Sequence, residues 1–155
     1  MADEQDLAGA HKRFAVDCYN AAWELLERAD RTPEEDRRML SAAFASRHHW
    51  DALGRPEQTC VGDWMVANVA SRLGFAGVAL TYARAAVDAA EANDGFADYV
   101  LASCYEGMAR AFACAGDDAE RDRFVEACKG ALARIAEDDD RAVIEDQLRS
   151  VPGYR

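Results

Sequence analysis

Residues Ala97–Ala113, ADYVLASCYEGMARAFA, form the most apolar long run with helical periodicity in the chain, yet they carry Glu106 and Arg110 one helical turn apart. A helix that is apolar nearly all round belongs in the middle of a protein. An uncompensated buried charge costs several kcal/mol. Either these two groups neutralise each other, then, or they face a cavity.

Outward from this run the chain reads as one amphipathic helix after another, about seven in all, with no alternating strand. From about Gln5 to Ala29, Phe14, Cys18, Ala22 and Leu25 recur at the spacing that lines up one helix face, and Asp17, Asn20 and Glu24 form a second stripe. Thr32, Pro33 and Glu35 make a capping box that opens a second helix, which runs to about Leu53 and stops at Gly54-Arg55-Pro56. A third helix, about Glu57 to Leu73, ends at Gly74, and a fourth carries Leu80, Ala83, Val87 and Ala90 before Asn93-Asp94-Gly95. Gly116-Asp117-Asp118 turns the opening run into a sixth helix with Phe124, Cys128, Leu132 and Ile135 inward. After Asp138-Asp139-Asp140, whose charges suit a helix N-terminus, a short seventh helix ends at Pro152-Gly153.

The 155 residues, half of them hydrophobic, suit a single domain (1–155) with a core that needs no disulfide or metal. A net charge of −11 would repel a phosphate backbone, so nucleic acid and anionic membrane are poor partners. No positively charged segment leads into an apolar one at the N-terminus, and the expected location is cytoplasmic. Five cysteines without a C-x-x-C pair read as buried free thiols. A soft-metal site would draw on Cys18, Cys60 and Cys104, but the sequence implies no metal and no cofactor.

The turns near Asp30, Gly74 and Gly116 lie 44 and 42 residues apart, and Cys18, Cys60 and Cys104 echo that spacing. Three helical hairpins and a shorter capping helix follow, each hairpin burying its apolar face against a neighbour. Leu73-Gly74-Phe75-Ala76-Gly77-Val78-Ala79-Leu80, with Ala86 seven residues after Ala79, resembles the turn glycine and small second-helix residues of the tetratricopeptide-repeat (TPR) superfamily. Ala109, Phe112 and Gly116 keep the first-helix half of that pattern, while Arg121 and Cys128 stand where its small residues belong. The resemblance covers roughly Glu57–Ala136. It implies an all-α antiparallel helical-hairpin solenoid, TPR-like, with a binding role.

The resemblance also implies a register, in which the first helix of each hairpin faces a concave groove. Counting back from Gly74 puts Trp64, Asn68 and Arg72 on that face; counting back from Gly116 gives Ser103, Glu106 and Arg110. Asn68 stands where family members that grip a carboxylate carry asparagine. Counting back from Asp30 gives Asp17, Asn20 and Glu24, which a solvated face would explain equally well. Tyr19 and Trp23 either close the far side of a pocket walled by Trp64 or pack in the core.

The second helix holds Arg47-His48-His49-Trp50-Asp51. His48 falls on the stripe of Leu40 and Phe44, where it is either a core histidine or a base with a near-neutral reference pKa. His49 lies along alanines, Trp50 falls with Met39, Ala43 and Ser46 in the core stripe, and Arg47 and Asp51 form an exposed pair. No catalytic or nucleotide-binding signature occurs. Three functions stay open: a non-catalytic module holding a peptide or small-molecule ligand in the groove, a small-molecule enzyme or sequestering protein using His48 or Glu106, and a homo-oligomer, such as a homodimer, whose groove is filled by a second copy.

Overall fold

Thr32 opens the second helix as its spacing predicts: its hydroxyl accepts from the Glu35 amide, and the Glu35 carboxylate accepts from the Thr32 amide. The computed structural model describes residues 2–155, and among them seven α-helices follow one another without a strand. They are α1 (Ala2–Leu26), α2 (Pro33–Ala52), α3 (Pro56–Arg72), α4 (Ala76–Glu91), α5 (Val100–Ala115), α6 (Asp118–Leu132) and α7 (Asp138–Arg149). None of them is long and apolar enough to cross a membrane. Gly74 (φ 81°) and Gly116 (φ 77°) close α3 and α5 in the left-handed region, where a side chain would be strained.

Consecutive helices pair as antiparallel hairpins, α1 with α2, α3 with α4, and α5 with α6. In the first, Arg28 meets Glu35 beside the turn (2.7 Å) and His11 meets His49 at the far end (2.8 Å). Each hairpin carries one small polar side chain that donates to a carbonyl of the partner helix. Ser46 reaches the Ala15 carbonyl (2.8 Å), Cys60 that of Ala86 (3.3 Å) and Cys128 that of Ala102 (3.3 Å). Small residues bring the backbones near enough for such short side chains to span the gap.

The odd-numbered helices make a continuous inner layer: α3 lies along α5, α1 touches α3 over a short seam, and α7 closes against α5 and α6. The backbones of α2, α4 and α6 stay apart from one another, with Phe44 and Tyr82 meeting edge-on between α2 and α4 (5.4 Å between centroids). Burial is most continuous in α3, where every residue from Gly62 to Ala70 is buried. Polar Asp63 and Asn68 disguise that helix in the sequence. Both are satisfied, Asp63 by Arg47 (2.8 Å) and Asn68 by Arg72 (2.9 Å).

Several details depart from the sequence pattern for local reasons. The apolar run begins as a turn, not a helix, because the Ala97 amide donates to Glu57 (2.9 Å) and Asp98 accepts from the Ala136 amide (2.9 Å). α1 ends at Leu26, three residues before the expected Ala29. Arg121 is tolerated at a small-residue position because Asp118 and Asp122 pair with it and the turn at Gly153 covers it. Trp50 is only half-buried, at the open end of the stripe whose Met39, Ala43 and Ser46 are buried. His48, expected on an apolar stripe, is exposed. Arg47 meets Asp51 at 3.5 Å but binds buried Asp63 more closely, so the exposed pair is the lesser of its two contacts.

The half-buried His49 packs against the Phe14 ring (5.5 Å) beside His11. Burial, then His11 and His48, hold its imidazole below the ordinary 6.5. The folded chain thus binds that proton more weakly than the unfolded one, and stability falls as pH drops from about 6.5 toward the lower folded value. The melting temperature of the wild type should therefore fall more steeply than that of His49→Gln between about pH 7 and about pH 5. Parallel slopes would show that His49 does not carry the effect.

Candidate functional site

At the centre of the inner layer a buried carboxylate joins three helices. Glu106 of α5 accepts from the Trp64 indole N–H of α3 (3.0 Å) through Oε2, and from Arg110 Nε (2.9 Å) and Nη2 (2.6 Å) through Oε1. Arg110 also donates to the Gln147 carbonyl (2.9 Å) and the Ser150 hydroxyl (2.8 Å), which ties the end of α7 to α5. Glu106 is fully buried and Arg110 is 3% exposed. Among the described residues no buried side-chain nitrogen or oxygen lacks a partner. The two opposite charges of the opening run therefore neutralise each other.

Gly107 explains how the tryptophan comes so near. A Cβ there would stand 2.7 Å from Trp64 Cδ1, so only glycine lets α5 lie against the indole. Held at its polar edge by Glu106, Trp64 forms a wall of a cavity of about 180 Å³ between α1, α3, α5 and α7. Trp23 of α1 packs beside Trp64, with centroids 5.7 Å apart, and Tyr19 stands edge-on to Trp23 at 6.4 Å. Tyr99, Val100, Ser103 and Cys104 contribute from the start of α5, and Asp140, Val143, Ile144 and Gln147 from α7. A second hollow of about 250 Å³ shares Tyr19, Val61 and Tyr99 and adds Val16, Trp50, Glu57 and Gln58. Neither hollow is lined by lysine, arginine or histidine. Burial raises the Tyr19 phenol; burial, followed by Glu57, Asp140 and Asp98, raises that of Tyr99.

Of the residues expected on the groove, Trp64 and Ser103 line the cavity, whereas Glu106 and Arg110 lie sealed behind its wall. Asn68 is buried one turn beyond Trp64 and accepts from Arg72, which among the described residues pairs with no carboxylate. Burial, then Arg110, lowers the Arg72 pKa, with Arg31 adding to the repulsion. Asn20 and Glu24 are exposed on α1 and line neither hollow, and His48 lies on the outer surface of α2. Tyr99 stands one turn before Ser103, so the same counting carried four residues further back reaches it. The lining from α7 has no counterpart in the repeat spacing.

Cys60 and Cys104 come within 3.6 Å of each other, both buried, while Cys18 is half-buried on α1. The Cys60 sulfur and burial hold the Cys104 thiol well above its usual pKa, the direction that disfavours a thiolate. Among the described residues no three histidine, cysteine or acidic side chains are placed to share a metal ion. No protein-family model, curated protein or solved structure matches the chain.

Two substitutions and a control test this arrangement. Glu106→Gln should cost about 3 kcal/mol, on the order of 10 °C in melting temperature, because it strands the Arg110 charge; a drop of only a degree or two would mean that the pair carries little. Gly107→Ala should cost about 1–3 kcal/mol by overpacking against Trp64. Gly130→Ala, with nothing within 4 Å of the added Cβ, should instead be neutral or mildly stabilising in the same denaturation experiment.

Proposed function

We propose that this chain is a non-catalytic binding module, a TPR-like stack of helical hairpins whose inner face holds a small ligand between α1, α3, α5 and α7. The observation that carries this reading is the aromatic cavity itself, with Trp64 fixed from behind by Glu106 at 3.0 Å. A wall whose position is determined by a buried hydrogen bond is organised before a ligand arrives, which reduces the ordering cost of binding. The titratable groups of the inner layer also favour binding over reaction. Glu106 and Arg110 are consumed by each other, and His48 lies outside. What remains for an occupant is ring surface, aliphatic side chains, the Tyr19 and Tyr99 phenols, the Cys104 thiol, the Ser103 hydroxyl, the Gln147 amide and the Asp140 carboxylate. Apolar lining with a few convergent polar groups is the usual make-up of a small-molecule site.

The cavity can be filled from within. Ser103→Trp, at a half-buried cavity position, should leave the melting temperature within a few degrees of wild type and abolish ligand-induced thermal shifts. A screen of small molecules by thermal shift should give compounds that stabilise the wild type and not this variant. Compounds that stabilise both equally, or a screen with none at all, would contradict the reading.

A further inference from the structure

Building on that binding reading, we propose that the pocket takes a small organic cation with a fully methylated ammonium head. Four aromatic side chains from three parts of the chain, Tyr19, Trp23, Trp64 and Tyr99, line one cavity. The rings of Trp23 and Trp64 meet at 42° and those of Tyr19 and Trp23 at 75°, so their planes are turned in different directions and do not form a flat stack. The N–H of Trp64 is spent on Glu106, which leaves this indole only ring surface to offer the cavity. Aromatic faces attract cations through their quadrupole, tryptophan most strongly.

Charge points the same way. Asp140 lines the cavity and Glu57 the adjoining hollow, and no basic side chain faces either. An anionic ligand would meet carboxylates there without a partner. The form of the cation follows from the lining, which exposes more apolar than polar surface. A primary ammonium gains most where several oxygens converge on its three N–H donors, whereas the oxygens here, on Tyr19, Tyr99, Ser103, Asp140 and Gln147, are set among rings and aliphatic side chains. A trimethylammonium group has no N–H, carries its charge on methyl groups and suits a largely apolar wall. At about 180 Å³ the cavity is smaller than the roughly 300–1,000 Å³ of pockets for drug-sized ligands, so it fits a head group of a few heavy atoms.

Titrations followed by tryptophan fluorescence, using the full chain, would test this with choline and its neutral carbon isostere 3,3-dimethylbutan-1-ol. Choline should bind about tenfold more tightly than the isostere. Trp23→Leu should weaken choline by a similar factor, and the exposed Asp140→Asn should weaken it several-fold at low salt and less at high salt. A short peptide bearing trimethyllysine separates the sources of the head group: binding of choline alone identifies a free cation, and binding of the peptide alone a methylated side chain. Either supports the inference. Equal affinity for the isostere, or no saturable response to choline or the peptide, would overturn it. Thermal-shift ligands lost in Ser103→Trp would still uphold the binding module in that case, so the two readings fail separately.

Discussion

The carboxylate of Glu106, fully buried and shared between the Trp64 indole and the Arg110 guanidinium, is the interaction on which the inner layer depends. A carboxylate deep in a helical core is costly unless every lone pair in reach finds a donor. Here the donors come from α3 and α5, and Arg110 extends the network to the last turn of α7. One charge pair thus fixes the spacing of α3 and α5, the docking of α7 and the position of the indole that walls the cavity. Gly107 makes the arrangement possible by leaving room for that indole.

The same economy explains why the polar stripe does not line the cavity as a whole. Glu106, Arg110 and Asn68, which counting from the turn glycines puts on a concave groove, are buried in the inner layer, where they meet one another and their neighbours. Scaffold bonds consume their polarity, and the cavity is lined instead by aromatic and aliphatic side chains with a few polar groups. In a chain with charge −11, the cavity lining also contains no basic side chain.

Much of the helical framework was legible because it rests on local chemistry. The Thr32–Glu35 capping box, the glycine turns at Gly74 and Gly116, and the i,i+4 spacing of Glu106 and Arg110 need only neighbouring residues to be understood. What escaped depends on partners far along the chain. The Trp64–Glu106 bond spans 42 residues, and Glu57, 40 residues away, holds the Ala97 amide and delays the start of α5. The first helix misled for another reason. No glycine with positive φ marks its end, so the count from Asp30 had no anchor and selected Asn20 and Glu24, which line neither hollow, while Tyr19 and Trp23, read from the sequence as pocket wall or core, line the cavity. α3 was harder still to rank, since Asp63 and Asn68 give a surface-like pattern to its most continuously buried stretch.

Proton exchange at the Trp64 indole measures the central interaction directly. If the Glu106 carboxylate holds this N–H in a sealed core, its NMR resonance should persist in D2O long after those of Trp23 and Trp50 have vanished, and Glu106→Gln should accelerate its loss by orders of magnitude. An indole proton of Trp64 that exchanges as fast as those of the other two tryptophans would mean that the wall is not fixed from behind, and the account of both fold and cavity would be wrong.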